Sequence, residues 1–309
     1  YELSVDLLGA ATRAPEASFG GDLTVRFQLK DAKKNLRIDF FEGIVHELVV
    51  NGQTTSLDHK KKYWIELPTA ALKEGANEVR VRYTRNYSRT GQGLHRFVDP
   101  EDSRVYLYTQ FESYEANRFM PCFDQPDLRS VLTMTVTAPR DWNVITATAE
   151  TNVKSVKNGK IWSFPATPEI STYLFSLHAG PYAMYKDIYH RKGQASVPLR
   201  FFVRQSLKQY LKHGFFFQTT KQALAYFESY FATPYPFKKL DQVVAPEFNM
   251  GGMENVGAIT YTEWMVSRSE MTRDTRRNLS DLVLHEIAHM WFGDLVTMSW
   301  WDDLWLNES

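Results

Sequence analysis

HEIAHMWFGDLVTMSWWDDLWLNES, residues 285–309, opens with two histidines four apart and carries a glutamate 19 positions beyond the second. On a helix, residues four apart lie one turn apart on the same face, so His285 and His289 can address one metal ion. Glu286 sits about 100° round the helix from His285 and can reach a water at that ion. With Glu308 as third ligand, two imidazoles and a carboxylate leave one tetrahedral position open. That is the arrangement of a catalytic zinc rather than a structural one. Leu279, Leu282, Val283, Ile287 and Met290 recur at helical spacing, so the motif rides on a helix with a core-facing side. Gly293 offers a stop, and Asp302-Asp303 favour a fresh helix start just before Glu308. One Zn2+ per chain is expected, held by His285, His289 and Glu308, with Glu286 as general base.

Composition narrows the rest. The chain has 309 residues, enough for two ordinary domains. Lysine plus arginine equals aspartate plus glutamate at 36 each, so no net charge steers the protein to nucleic acid or anionic lipid. The one cysteine, Cys122, cannot form an internal disulfide and reads as a buried small hydrophobe. It favours a reducing compartment, and the cytoplasm is the expected setting. No apolar run reaches membrane-spanning length. Tyr1 opens directly in a strand-like alternation without an initiator methionine, so a trimmed N-terminus is expected.

Residues 1–187 read as β. Alternation is visible in Leu3/Val5/Leu7, Leu23/Val25/Phe27/Leu29, Val79/Val81/Tyr83 and Leu132/Met134/Val136. Asn51-Gly52 and Asn158-Gly159 each sit between two such runs as two-residue hairpin signals. Many short strands separated by turns predict an antiparallel sandwich or saddle, without a helix. The pattern changes near Ala179-Gly180-Pro181. Over residues 188–309 a strand at Val197–Val203 leads into a helix expected from about Ser206 to Phe231, ended by Thr233-Pro234-Tyr235-Pro236. A strand at about Leu240–Ala245 and an extended edge at Ala258–Tyr261 follow. A charged linker over Arg268–Arg277 precedes the histidine helix. The remaining histidines, among them His95 and His178, lack metal-ligand spacing and read as surface or turn residues.

Three segments carry a resemblance. GGMENVGAITY (Gly251–Tyr261), HEIAHMWFGDLVTMSWWDDLWLNES and TQFESYEANRFMPCFDQP (Thr109–Pro126) closely resemble the gluzincin aminopeptidases of the aminopeptidase N, or M1, family. The resemblance extends over essentially the whole chain. It implies an all-β N-terminal saddle or sandwich domain, residues 1–187, followed by the first part of an α/β thermolysin-like catalytic domain, residues 188–309. It implies a zinc aminopeptidase acting on peptides with a free N-terminus. Glu254 of the GxMEN motif would hold the substrate α-amino group, with Glu112 as a second anchor from the β domain. A carboxylate does this by charge-assisted hydrogen bonding to the ammonium. Gly251 and Gly252 would let an extended substrate approach the backbone, since no Cβ intervenes. Asn255 belongs to the same substrate-side motif. Met253 and Gln110 would line the pocket for the first side chain, although a packed core methionine is an equal reading of Met253. Asp302 or Asp303 would either orient a ligand histidine or simply favour a helix N-terminus.

Family members are longer, so the remaining catalytic domain and a helical C-terminal domain are expected partners. The tyrosine that stabilises the oxyanion in the family lies downstream of the third ligand, beyond Ser309. The chain is therefore expected to be the front part of an enzyme, weakly active alone. Two other readings remain: the epoxide-opening leukotriene A4 hydrolase branch, and a non-catalytic scaffold. Val256–Tyr261 resembles the ordinary aminopeptidase continuation better than the first, and the retained ligands and Glu286 speak against the second.

Overall fold

Alternating burial builds the first half of the molecule. Leu3, Val5, Leu23, Val25, Val79, Val81, Met134 and Val136 point into one core, while the residues between them face outward. The computed structural model describes residues 1–12 and 17–309. Eight strands form the main sheet of this half, in the order Asn152–Val156, Gly159–Phe164, Thr133–Ala138, Glu2–Asp6, Ser18–Leu29, Gly75–Asn86, Ile44–Val50 and Gln53–Thr54. All its pairings are antiparallel except that of Glu2–Asp6 with Thr133–Ala138. A second, antiparallel sheet orders Asn143–Thr146, Leu177–Gly180, Val105–Gln110 and Gly93–Val98. Among the described residues the half is all-β, with only one-turn 3-10 helices between its strands.

The two hairpins differ from each other. At the first, Val50 pairs with Gln53, and Asn51 and Gly52 both take positive φ (50° and 80°), as a two-residue I′ turn requires. At the second, the turn sits one residue earlier than expected. Val156 pairs with Gly159, so the turn residues are Lys157 and Asn158. Gly159 is the first residue of the strand, and glycine fits there because a β-carbon would run into the carbonyl of Ala138.

The second half is an α/β layer built on a five-stranded mixed sheet: Ala183–Tyr189, Val197–Val203, Leu240–Ala245, Ala258–Thr262 and, at the outer edge, Gly252–Met253. The strand Ala183–Tyr189 carries the chain across residue 187 into this sheet. Helix α1 spans His213–Tyr230, starting later than its sequence suggested. Ser206, at the expected start, gives its hydroxyl to Asp99 at 2.5 Å, and residues 205–207 form a 3-10 turn. Helix α2 spans Arg273–Ala288 and starts earlier than expected, because the Thr272 side chain caps the N–H of Thr275 at 3.1 Å. Arg273–Arg277 are therefore helical rather than linker. Phe216 of α1 packs on Phe201 of the sheet at 5.1 Å, and Trp291 just beyond α2 packs on Phe231 at 5.6 Å. Among the described residues no helix is long and apolar enough to cross a membrane.

The halves are joined by buried polar contacts. Lys239, 2% exposed, donates to the carbonyl of Thr146 in the β half (2.7 Å), to Asp241 Oδ2 (2.7 Å) and to the carbonyl of Gly257 (2.6 Å). Asp241 is held on its other side by Arg200, which also grips Glu150. His95 and His178, expected at the surface, are buried instead. His95 meets Glu247 at 3.1 Å and His178 Nε2 meets Thr260 at 2.8 Å, so each has a partner from the other half.

Lys239→Met is expected to destabilise the protein by about 3–5 kcal/mol, since it leaves two buried carbonyls and one side of Asp241 without their donor. Urea denaturation midpoints of the two proteins measure the difference.

Candidate active site and metal centre

Two pieces of the chain meet at the C-terminal end of α2. The helix places His285 and Glu286 on adjacent positions, and His289 caps its end. His285 Nε2 and His289 Nε2 lie 3.1 Å apart. Glu308, on the single turn α3 (Trp305–Glu308), brings Oε2 to 3.4 Å from the first nitrogen and 3.7 Å from the second. Ligand atoms about 2.0–2.1 Å from a tetrahedral ion lie roughly 3.3 Å from each other, so these edges fit zinc. The donor set fits it too. The His289 Nδ1–H points at the carbonyl of Phe292 at 3.0 Å, which leaves the Nε2 lone pair facing the other two ligands. Burial lowers the pKa of His289 and favours its neutral, ligating form. The hydrogen bond with His285 holds the Glu308 carboxyl below the usual carboxylate range and raises His285 in return. His289 is buried, whereas the side chains of His285 and Glu308 are 47% and 38% exposed, so the triad opens outward on one side. Asp302 and Asp303 are exposed in the 3-10 turn Trp301–Asp303, as helix-start residues are.

Around the triad stand more carboxylates than the local charge can balance. Glu286 and Glu254 are each 3% exposed, and ligand atoms of Glu254, Glu286 and His289 lie within 4.8 Å of one another. Glu254 Oε1 has no hydrogen-bond partner among the described residues. Burial, then the charge of Glu308, pushes Glu254 up to about 7. Burial, then the charges of Glu254 and Glu308, pushes Glu112 to about 7 as well. Glu286 is raised by burial first and by Glu254, Glu308 and Glu112 after it. A buried carboxylate cluster of this kind is relieved by cations. Asp294, which the sequence did not single out, belongs to the same region. It is fully buried with neither oxygen bonded among the described residues, and burial together with Glu254 and Glu286 raises its pKa.

The edge strand Gly252–Met253 runs beside the site, and α2 packs against it. A β-carbon on residue 252 would run into the Glu286 carboxylate, so glycine lets this carboxylate lie against the strand. At Gly251 the neighbouring Leu282 leaves ordinary contact space, and its carbonyl accepts from Thr262 N–H at 3.0 Å. Met253 is 1% exposed within the hydrophobic core. Gln110 is 4% exposed, with Nε2 at 3.3 Å from Met250 Sδ and Oε1 unpartnered among the described residues. Asn255 is fully buried; its Oδ1 accepts from Thr260, which in turn meets His178. Asn255 thereby holds the turn that carries Glu254. No local signal marks His178 for this duty, because its partner lies 82 residues away.

The family model of the Peptidase M1 N-terminal domain matches residues 1–174, and that of the Peptidase family M1 domain matches residues 215–309. The chain belongs to the M1 family of peptidases. This M1 chain is 43% identical, over its whole length, to an Aminopeptidase N of Streptomyces lividans, of which it covers 35%. It is 32% identical over 92% of its length to the Tricorn protease-interacting factor F2 of Thermoplasma acidophilum, covering 34% of that protein. It is 28% identical over 94% of its length to human Aminopeptidase N, covering 32%. The M1 chain thus spans about a third of the length of the curated relatives it matches.

Zinc at a hundred times its dissociation constant is expected to stabilise the fold by about 2.7 kcal/mol, visible as a rise in Tm. His289→Ala should abolish that rise. An unchanged zinc-dependent shift in the variant would exclude His289 as a ligand.

Proposed function

We propose that this M1 chain carries the metal site, the general base and the amine anchors of a zinc aminopeptidase, which removes the first residue from peptides. The observation that carries the reading is Glu254: a buried carboxylate oxygen without a partner among the described residues, beside both Glu286 and a histidine of the candidate zinc triad. An α-ammonium is a ligand that would satisfy it and be chosen by it.

His285, His289 and Glu308 would hold the ion. When bound, zinc supplies a Lewis acid that polarises the scissile carbonyl and acidifies water. Glu286 accepts the proton of the attacking water on its carboxylate and returns it to the departing amine nitrogen. Burial raises its proton affinity, which favours taking up that proton. Glu254 and Glu112 bind the substrate ammonium, and the positive charge offsets their mutual repulsion. The free side of the edge strand Gly252–Met253 takes the peptide as an added strand, with Gly251 and Gly252 allowing close backbone approach. Gln110 and Met253 border the space for the first side chain.

In this reading residues 1–187 form the β domain and residues 188–309 the front of the thermolysin-like domain. Further catalytic and helical domains, such as the greater length of the relatives accommodates, complete the enzyme. A cytoplasmic setting is part of the proposal and is supported by the single, buried cysteine.

The test uses leucine hydroxamate, which offers a metal-binding group and a free amine, against its N-acetyl derivative on the zinc-loaded chain. The free amine should bind about ten- to a hundred-fold tighter, the worth of a charged hydrogen bond. Glu254→Ala should erase the difference and leave zinc content at one per chain. Equal binding of both compounds by the unmutated protein would refute the anchor.

A further inference from the structure

The geometry points to Tyr173, a residue of the β half, as the positioning residue for Glu308, acting through the side chain of Asn307. This rests on the reading of Glu308 as the third zinc ligand. Helix α3 is a single turn, and a helix of four residues cannot sustain itself in isolation. Something outside it must fix the direction of Glu308. Asn307 is the one buried residue of the turn. Its Nδ2 donates to Tyr173 Oη at 3.2 Å and lies 3.0 Å from Met298 Sδ. Consecutive helical side chains stand about 100° apart, so anchoring Asn307 sets the bearing of Glu308.

Tyr173 is well fixed itself. It is 1% exposed and belongs to the 3-10 turn Thr172–Leu174. On one side Ser171 donates to the carbonyl of Pro126 at 2.5 Å, and Thr172 donates to Asp124 Oδ1 at 2.8 Å. On the other, the Tyr173 ring meets Trp301 edge to face at 5.2 Å, at the entry to the same turn. Arg129 adds a second hold from the β half. Its guanidinium reaches the carbonyls of Asp294 (3.1 Å) and Leu295 (3.2 Å) and the hydroxyl of Thr297 (3.3 Å), while also binding the carbonyl of Glu169. The loop between the second and third ligands is thus pinned at both ends by residues outside the catalytic half.

Zinc affinity of the 309-residue chain, measured by chelator competition, tests the assignment. Tyr173→Phe removes one hydroxyl, and Asn307→Leu attacks the contact from the other side. Each should weaken zinc about 10- to 100-fold, the usual cost of losing a partner behind a metal ligand. The double variant should be no weaker than the weaker-binding single one, because both remove the same contact. The visible spectrum of the cobalt-substituted chain, which reports ligand geometry, should change in both. Tyr182→Phe is the control: this buried tyrosine donates to the carbonyl of Leu107 at 3.3 Å, and its loss should lower Tm without moving zinc affinity. If Glu308→Gln weakens zinc while Tyr173→Phe does not, the positioning role is wrong and the zinc reading stands. If Glu308→Gln keeps full affinity, the zinc reading falls and the positioning role with it. Equal weakening by Tyr182→Phe and Tyr173→Phe would also overturn the assignment.

Discussion

The ammonium of Lys239 lies at the junction of everything that the candidate site requires. Three acceptors surround it: a carbonyl of the β half, the carboxylate of Asp241 on a central strand, and the carbonyl of Gly257 in the turn after Glu254. Gly257 takes φ +62°, and a β-carbon there would crowd the carbonyl of Ala147, so only glycine brings this turn so close to the β half. Burying a cation is costly unless every donor finds an acceptor, and here each contact ties a different part of the molecule. The turn that carries Glu254, the sheet beneath it and the β half are consequently tied together through one ammonium.

Rigidity matters because the centre concentrates like charge. Burial, with neighbouring negative charge after it, raises the proton affinity of Glu112, Glu254, Glu286 and Asp294, whereas Glu308 is held low by His285; without fixed backbone the carboxylates would separate. The β half contributes to holding them in several places: Glu112 directly, Phe175 and His178 through Asn255 and Thr260, and Arg129 at the loop after the metal helix. An N-terminal domain that looks like an appendage in the sequence is part of the wall of the site.

How much of this the residues disclose depends on distance along the chain. His285, Glu286 and His289 are legible because a helix converts a spacing of one and four into known directions. The strands are legible where one face is buried, since alternation records it. Glu254 and Glu112 carry no such mark; only the likeness of their surrounding segments to a family singles them out. Asp294, Tyr173, Arg129 and His178 were missed for a physical reason. Their neighbours lie many residues away, and what surrounds a side chain in the assembled core is not written in its local sequence. His95 and His178 show this most clearly, as isolated histidines that the fold turned inward. The start of α1 was displaced for a related reason: the hydroxyl of Ser206, at the expected start, is taken by Asp99, more than a hundred residues away.

The closeness of Glu254 to Glu286 has one further consequence. The amine nitrogen and carbonyl carbon of a single residue are only about 2.5 Å apart, and each additional residue would carry the carbonyl roughly 3.5 Å further on. Oxygens of the two glutamates lie within 4.8 Å of each other. On the proposed roles, a chain end held by the first presents the bond behind its first residue to the second, and the next bond is out of reach. The pair acts as a ruler one residue long, and it measures backbone, which every peptide shares.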